Sequence, residues 1–113
     1  MLTGVSNDGT LGVGGNTSPG LVFDPVGTGS FSGKPDYLTP GSPAEGFSVS
    51  YNGGSVLINN NTGTQQIGAA STPSNVSGSS SYDNAVQWTG TITDKLTVEH
   101  VFAFDNDQKN IAI

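Results

Sequence analysis

Asp105-Asn106-Asp107 sets two carboxylates and an amide on consecutive positions of one short segment. Calcium takes about six to eight oxygen ligands, which such a segment could begin to supply. Asp105, Asn106 and Asp107 are therefore the candidate metal ligands, and calcium the candidate cofactor. The segment lacks the glycine and distal glutamate of an EF-hand loop. Asp and Asn also favour turns on their own account, so a solvated turn is the simpler expectation. Glu45 and Asp36 are a second pair of acids, on either side of Pro40 and Pro43. Paired carboxylates can run glycoside hydrolysis, although a loop carboxylate ordinarily has no catalytic role. Tyr37 and Tyr82 could stack on sugar rings and, with Glu45, form the candidate carbohydrate-binding set. Trp88 shares a strand face with Val86 and Ile92 and reads as core. His100, the one histidine, stands between Val98 and Phe102 on an apolar face. A hydrogen-bonded core residue is expected there rather than a ligand or base. Glu99 points to the opposite face, so the two do not share a surface. No catalytic residue is expected.

The elements that must position these side chains are strands. Leu96 to Phe104 alternates strictly, with Leu96, Val98, His100, Phe102 and Phe104 on one side. Asn84 to Thr93 alternates as well, placing Val86, Trp88, Gly90 and Ile92 together. Phe47, Val49 and Tyr51 alternate with Ser48 and Ser50. Asn52-Gly53-Gly54 then supplies the positive φ of a tight turn, and Ser55–Ile58 returns. Asn59–Gly63 reads as the next turn and Thr64–Ala70 as a third strand. Ser71–Ser81 reads as a flexible loop. A short strand is expected at Thr10–Val13, and Leu21–Phe23 is a second short apolar run closed by Asp24-Pro25, whereas Val26–Pro43 is mostly loop, its prolines removing ladder donors. Asn110–Ile113 reads as a return strand after Leu96–Phe104 that stops midway. No segment keeps helical spacing for three turns.

Composition agrees. Glycine supplies 17 of 113 residues and charged residues only 11%, so polarity rests on hydroxyls and amides, which compete with helical backbone bonds. The net charge is −6, with three lysines and no arginine. Such a chain has no electrostatic footprint for nucleic acid, and none for an anionic membrane surface. Without cysteine there are no disulfides, thiolate metal sites or thiol nucleophiles. Met1-Leu2-Thr3-Gly4 has neither the basic start nor the apolar run of a signal peptide, and no stretch approaches the ~20 apolar residues of a membrane span. Gly12-Val13-Gly14-Gly15 is followed by no helix and is not a phosphate loop. The acceptor tripeptides at Asn16, Asn60 and Asn75 are chance matches in a chain so rich in Asn, Ser and Thr.

Two blocks carry a resemblance: Leu21-Val22-Phe23-Asp24-Pro25 with Asp36-Tyr37-Leu38-Thr39-Pro40-Gly41-Ser42-Pro43-Ala44-Glu45-Gly46-Phe47-Ser48-Val49, and His100 through Ile113. They resemble β-sandwich domains of large bacterial secreted adhesins and of calcium-binding-repeat (RTX-like) surface proteins. The calcium nonapeptide repeat of that group is absent, and no functional residue carries over.

The expectation is thus an all-β, antiparallel β-sandwich, jelly-roll or supersandwich-like, incomplete at its C-terminus. Residues 1–113 form a single domain or the N-terminal part of one, with 1–45 a loop-rich lead-in and 46–113 the main strands. The expected function is a non-catalytic adhesive or structural module of an exported bacterial surface protein. It would be extracellular or at the cell surface, its signal lying outside this chain. Its partners would be a glycan or cell-surface ligand and neighbouring domains of a longer parent. The alternatives are a carbohydrate-binding module or fragment of a polysaccharide-acting enzyme, and a viral jelly-roll structural piece.

Overall fold

A computed structural model describes residues 1–12, 19–38, 46–61, 64–93, 96–106, 111 and 113. The two alternating segments nearest the C-terminus form its longest strands, β8 (Asn84–Thr93) and β9 (Leu96–Phe104). They pair antiparallel from Asn84↔Phe104 to Thr91↔Thr97, then shift by one residue to Thr93↔Leu96. Trp88 therefore stands opposite His100.

The other edge of β8 is shared by two short strands. β6 (Gly68–Ala69) pairs at Thr91 and Gly90; β7 (Ser74–Asn75) pairs at Gln87 and Val86. Backbone bonds Ala70 N–Thr89 O and Val76 N–Ala85 O, both 2.9 Å, extend the ladder. Ser71–Pro73 loops out between them, where Pro73 has no donor to offer. Within Ser71–Ser81, expected as a flexible loop, Ser74–Asn75 is strand and Ser77–Ser79 a 3-10 turn, and the rest is irregular.

A second sheet holds β3 (Gly46–Tyr51), β4 (Val56–Asn61) and β5 (Thr64–Gln65). The β3–β4 turn carries Asn52, Gly53 and Gly54 at φ of 55°, 65° and 84°, as its sequence predicts. β4 runs on through Asn59 and Asn60, which were expected in a turn. Asn60 is fully buried with its amide satisfied, and that burial overrides its local preference. The expected single strand Thr64–Ala70 is broken at Gln66-Ile67, where the chain leaves one sheet for the other. Phe47 reaches from β3 to lie 5.7 Å from the Trp88 ring, edge-on, and 4.1 Å from the His100 ring.

The N-terminal residues pack onto this core. β1 (Leu2–Thr3) pairs with β2 (Leu21–Val22), and single bridges join Val5 to Leu11 and Val22 to Asp36. The strand expected at Thr10–Val13 is reduced to the Leu11 bridge; residue 13 lies outside the described residues. Ser6–Thr10 forms a tight turn closed by Ser6 N–Thr10 O at 2.8 Å. It covers Trp88, whose Nε1 donates to Asn7 O at 2.9 Å. Ile111 and Ile113 belong to no strand, and the rest of the expected return strand lies outside the described residues. The fold is all-β and antiparallel, with no α-helix among the described residues.

Gly9 sits at φ +78°, and a Cβ there would fall 2.6 Å from Trp88. Gly33 has a similar φ of +71° and open space around it. Left-handed strain costs about 1–2 kcal/mol and overpacking about 1–3 kcal/mol. Gly9→Ala should therefore lose about 3 kcal/mol or more in urea unfolding, and Gly33→Ala about 1 kcal/mol. Equal losses would show that the turn does not press on the indole.

Candidate functional site

The residues singled out for chemistry fall in three places. At the open end of the β8–β9 ribbon, Asp83 and Asp105 cross-link the strand ends. Asp83 N donates to Asp105 Oδ1 at 3.1 Å, and Asn106 N donates to Asp83 Oδ2 at 3.0 Å. Asn84 Nδ2 donates to Asn106 Oδ1 at 2.9 Å. Tyr82, 37% exposed, precedes this clasp. An adjoining cleft of about 190 Å³ is lined by Leu2, Thr3, Val86, Phe102 and Phe104, with Asn84 common to cleft and clasp. Its Thr3 hydroxyl is committed to Gly20 O at 2.6 Å. The register that pairs Asn84 with Phe104 brings Tyr82 into the neighbourhood of Asp105 and Asn106. Asp107 lies outside the described residues. Among the described residues no three acidic or histidine side chains converge as a metal site.

Tyr37 is 62% exposed, on the segment bonded to β2 through Tyr37 N–Leu21 O at 2.8 Å. Its neighbour Asp36 accepts from the N–H groups of Gly20, Leu21 and Leu38 at 2.8, 2.8 and 3.2 Å. A carboxylate so engaged holds backbone in place. Glu45 lies outside the described residues.

His100 is half-buried and packs against aromatic rings on the strand face its alternation predicts. Its ring lies against Phe47 and within 5.9 Å of both Trp88 and Phe102, with Nδ1 3.4 Å from Gly9 O. Glu99, on the other face, accepts from Gln87 Nε2 at 2.6 Å.

Sequence reasoning passed over Asp24. Its carboxylate is almost fully buried and accepts from Thr28 Oγ1 and from the N–H groups of Val26, Thr28 and Gly29, at 2.5–3.1 Å. Lys34 Nζ lies 3.4 Å away. The Thr28 hydroxyl, helped by the three N–H groups and opposed by desolvation, holds its pKa well below the ordinary carboxylate range. The signal was present as Asp24-Pro25 followed by Thr28-Gly29, a pattern in which an Asp side chain binds the backbone just ahead of it.

No family model matches the chain, and no curated protein or solved structure matches it either. The site must therefore be read from its own geometry. Every aspartate among the described residues accepts bonds from backbone N–H groups, Asp8 included, through Thr10 N at 3.1 Å.

Because the folded pKa of Asp24 is lowered from 3.8, its stabilisation is complete above that value and is lost as pH falls below it. Asp24→Asn should be less stable than wild type at pH 7 but should lose less stability below about pH 4. Urea midpoints at pH 7 and 3 measure this, and parallel declines would refute it. Asp105→Ala should lower Tm with or without chelator, because the clasp needs only hydrogen bonds. A chelator-induced fall in wild-type Tm would instead return calcium to this turn.

Proposed function

We propose that this chain is a non-catalytic adhesive or structural module of an exported bacterial surface protein. The observation that carries this reading is the use made of the described aspartates. Asp8, Asp24 and Asp36 tie down loops, and Asp83 and Asp105 close a ribbon end. General acid–base chemistry needs a carboxylate left to meet substrate, whereas a scaffold needs irregular backbone fixed. A low content of charge and the absence of cysteine suit an extracellular setting, and the resemblance to secreted adhesin domains points the same way.

The outer edge of β9 supports a role in contact with neighbouring domains. β9 is nine residues long, pairs only with β8 among the described residues, and contains neither proline nor lysine. Such an edge accepts an added strand unless something covers it.

A second reading, a carbohydrate-binding module, is favoured by Tyr82. Tyr82 is exposed and precedes Asn84, whose amide binds that of Asn106 and leaves one polar atom of each for a sugar hydroxyl. Binding of the intact chain to a glycan array and to cell surfaces, alongside release of reducing ends from a polysaccharide panel, tests both readings. Surface binding without sugar release is expected. Glycan binding lost in Tyr82→Ala would favour the second reading, and sugar release would overturn the non-catalytic one.

A further inference from the structure

We infer that Asn52-Gly53, at the tip of the β3–β4 hairpin, is a self-modifying site that converts to aspartate and isoaspartate, and that Ser55 accelerates the conversion. Asn52 is the one non-glycine residue at positive φ among the described residues. Residues 52–55 are all exposed. The tip is held by Gly54 N–Tyr51 O at 3.2 Å, Ser55 N–Asn52 O at 3.3 Å and Ser55 Oγ–Asn52 O at 2.7 Å. None of these bonds uses the Asn52 carboxamide or the Gly53 N–H, and neither group has a partner among the described residues. Nothing lies within 4 Å of where a Gly53 Cβ would stand. The nucleophile, the carbon it attacks and the approach between them are all open to water.

The chemistry needs hydroxide and water alone. Hydroxide removes the Gly53 amide proton, and the nitrogen anion attacks Asn52 Cγ. A C–N bond closes a five-membered succinimide, and the carboxamide C–N bond breaks; the departing nitrogen takes a proton from water, leaving as ammonia and returning the hydroxide. Water then adds at either carbonyl. Opening at one restores an ordinary backbone with aspartate; opening at the other routes the backbone through the former side chain. No electron transfer is involved, and the product carries one more negative charge.

The role of Ser55 follows from the atom it binds. Deprotonating Gly53 N places negative charge on Asn52 O, the carbonyl of the same peptide unit. Two donors from Ser55 already point at that oxygen, an arrangement that stabilises developing oxyanion charge. The long N–H bonds also make the tip easy to open for the ψ rotation that ring closure requires.

Of the other described asparagines, five have engaged or buried side chains, and Asn7 and Asn61 are followed by Asp8 and Thr62 rather than by glycine. Asn59 accepts from Ser48 Oγ at 2.6 Å and Asn75 from Ser77 N at 2.9 Å. Asn84 and Asn106 bind each other, and Asn60 is fully buried. None of these five is followed by glycine.

The test is incubation of the folded chain at pH 8 and 37 °C, with peptide mapping for the gain of one mass unit and for isoaspartate. Conversion confined to Asn52 is expected. Ser55→Ala should slow it about tenfold, the rate equivalent of one hydrogen bond to a charged group, and Gly53→Ala should slow it further. In urea the Ser55→Ala effect should vanish. Faster conversion at Asn59, Asn75 or Asn84 would overturn the site. A wild-type rate in folded Ser55→Ala would overturn the role of Ser55.

Discussion

The indole of Trp88 is the piece around which the chain is arranged. It is fully buried, and a Cβ at either Gly9 or Gly90 would intrude on its ring atoms. Glycine is therefore required both on its own strand and in the N-terminal turn that covers it. Phe47 meets it edge-on from the other sheet, the geometry aromatic pairs prefer. Its N–H would be costly to bury without a partner, and Asn7 O supplies one. In a core whose other buried hydrophobics among the described residues are Leu11, Val22, Ile67, Ala85, Phe102 and Ala103, one ring joins three separate parts of the chain.

Around that ring the chain solves a second problem with few charges. Much of the described chain lies between strands, and irregular backbone leaves N–H groups that no ladder satisfies. Aspartates answer this locally at Asp8 and Asp24, and Asp36 reaches back to the N–H groups of Gly20 and Leu21. Asn60 answers it over distance: its Nδ2 donates to Asp8 O at 2.6 Å, while its Oδ1 accepts from Gln66 N and Ile67 N at 2.8 and 2.7 Å. The same amide thus fixes the N-terminal turn and the corner where the chain changes sheets. An aspartate there would keep the acceptors but lose the donor.

What could be read from the sequence was whatever depends on neighbours in the chain. β8 and β9 follow from alternation alone, and so does the inward placement of Trp88 and His100. The Asn52-Gly53-Gly54 turn follows from left-handed preference. The failures are non-local. Asn59 and Asn60 have turn chemistry, and only a contact with residue 8 makes a buried strand position of the second. Ser71–Ser81 has the composition of a loop, and only β8 makes an edge strand of part of it. The break at Gln66-Ile67 has no local marker, because Ile67 is equally at home in a strand or at a corner. Tyr82, Asp105 and Asn106 meet only through the β8–β9 register, which pairs Asn84 with Phe104, and nothing in their spacing announces it.

The turn over Trp88 also has a consequence in time. Asn7 and its indole partner are 81 residues apart, so the turn is synthesised long before the ring it shields. The β8–β9 hairpin can form early, because its partners are close in the chain. Closing the N-terminal turn onto it requires a long loop to be drawn in, and contacts of that span slow folding. Until then the indole stands open beside Phe102 on an unfinished sheet. For this chain the most vulnerable interval is the one between completing its longest strands and returning its first ten residues to them.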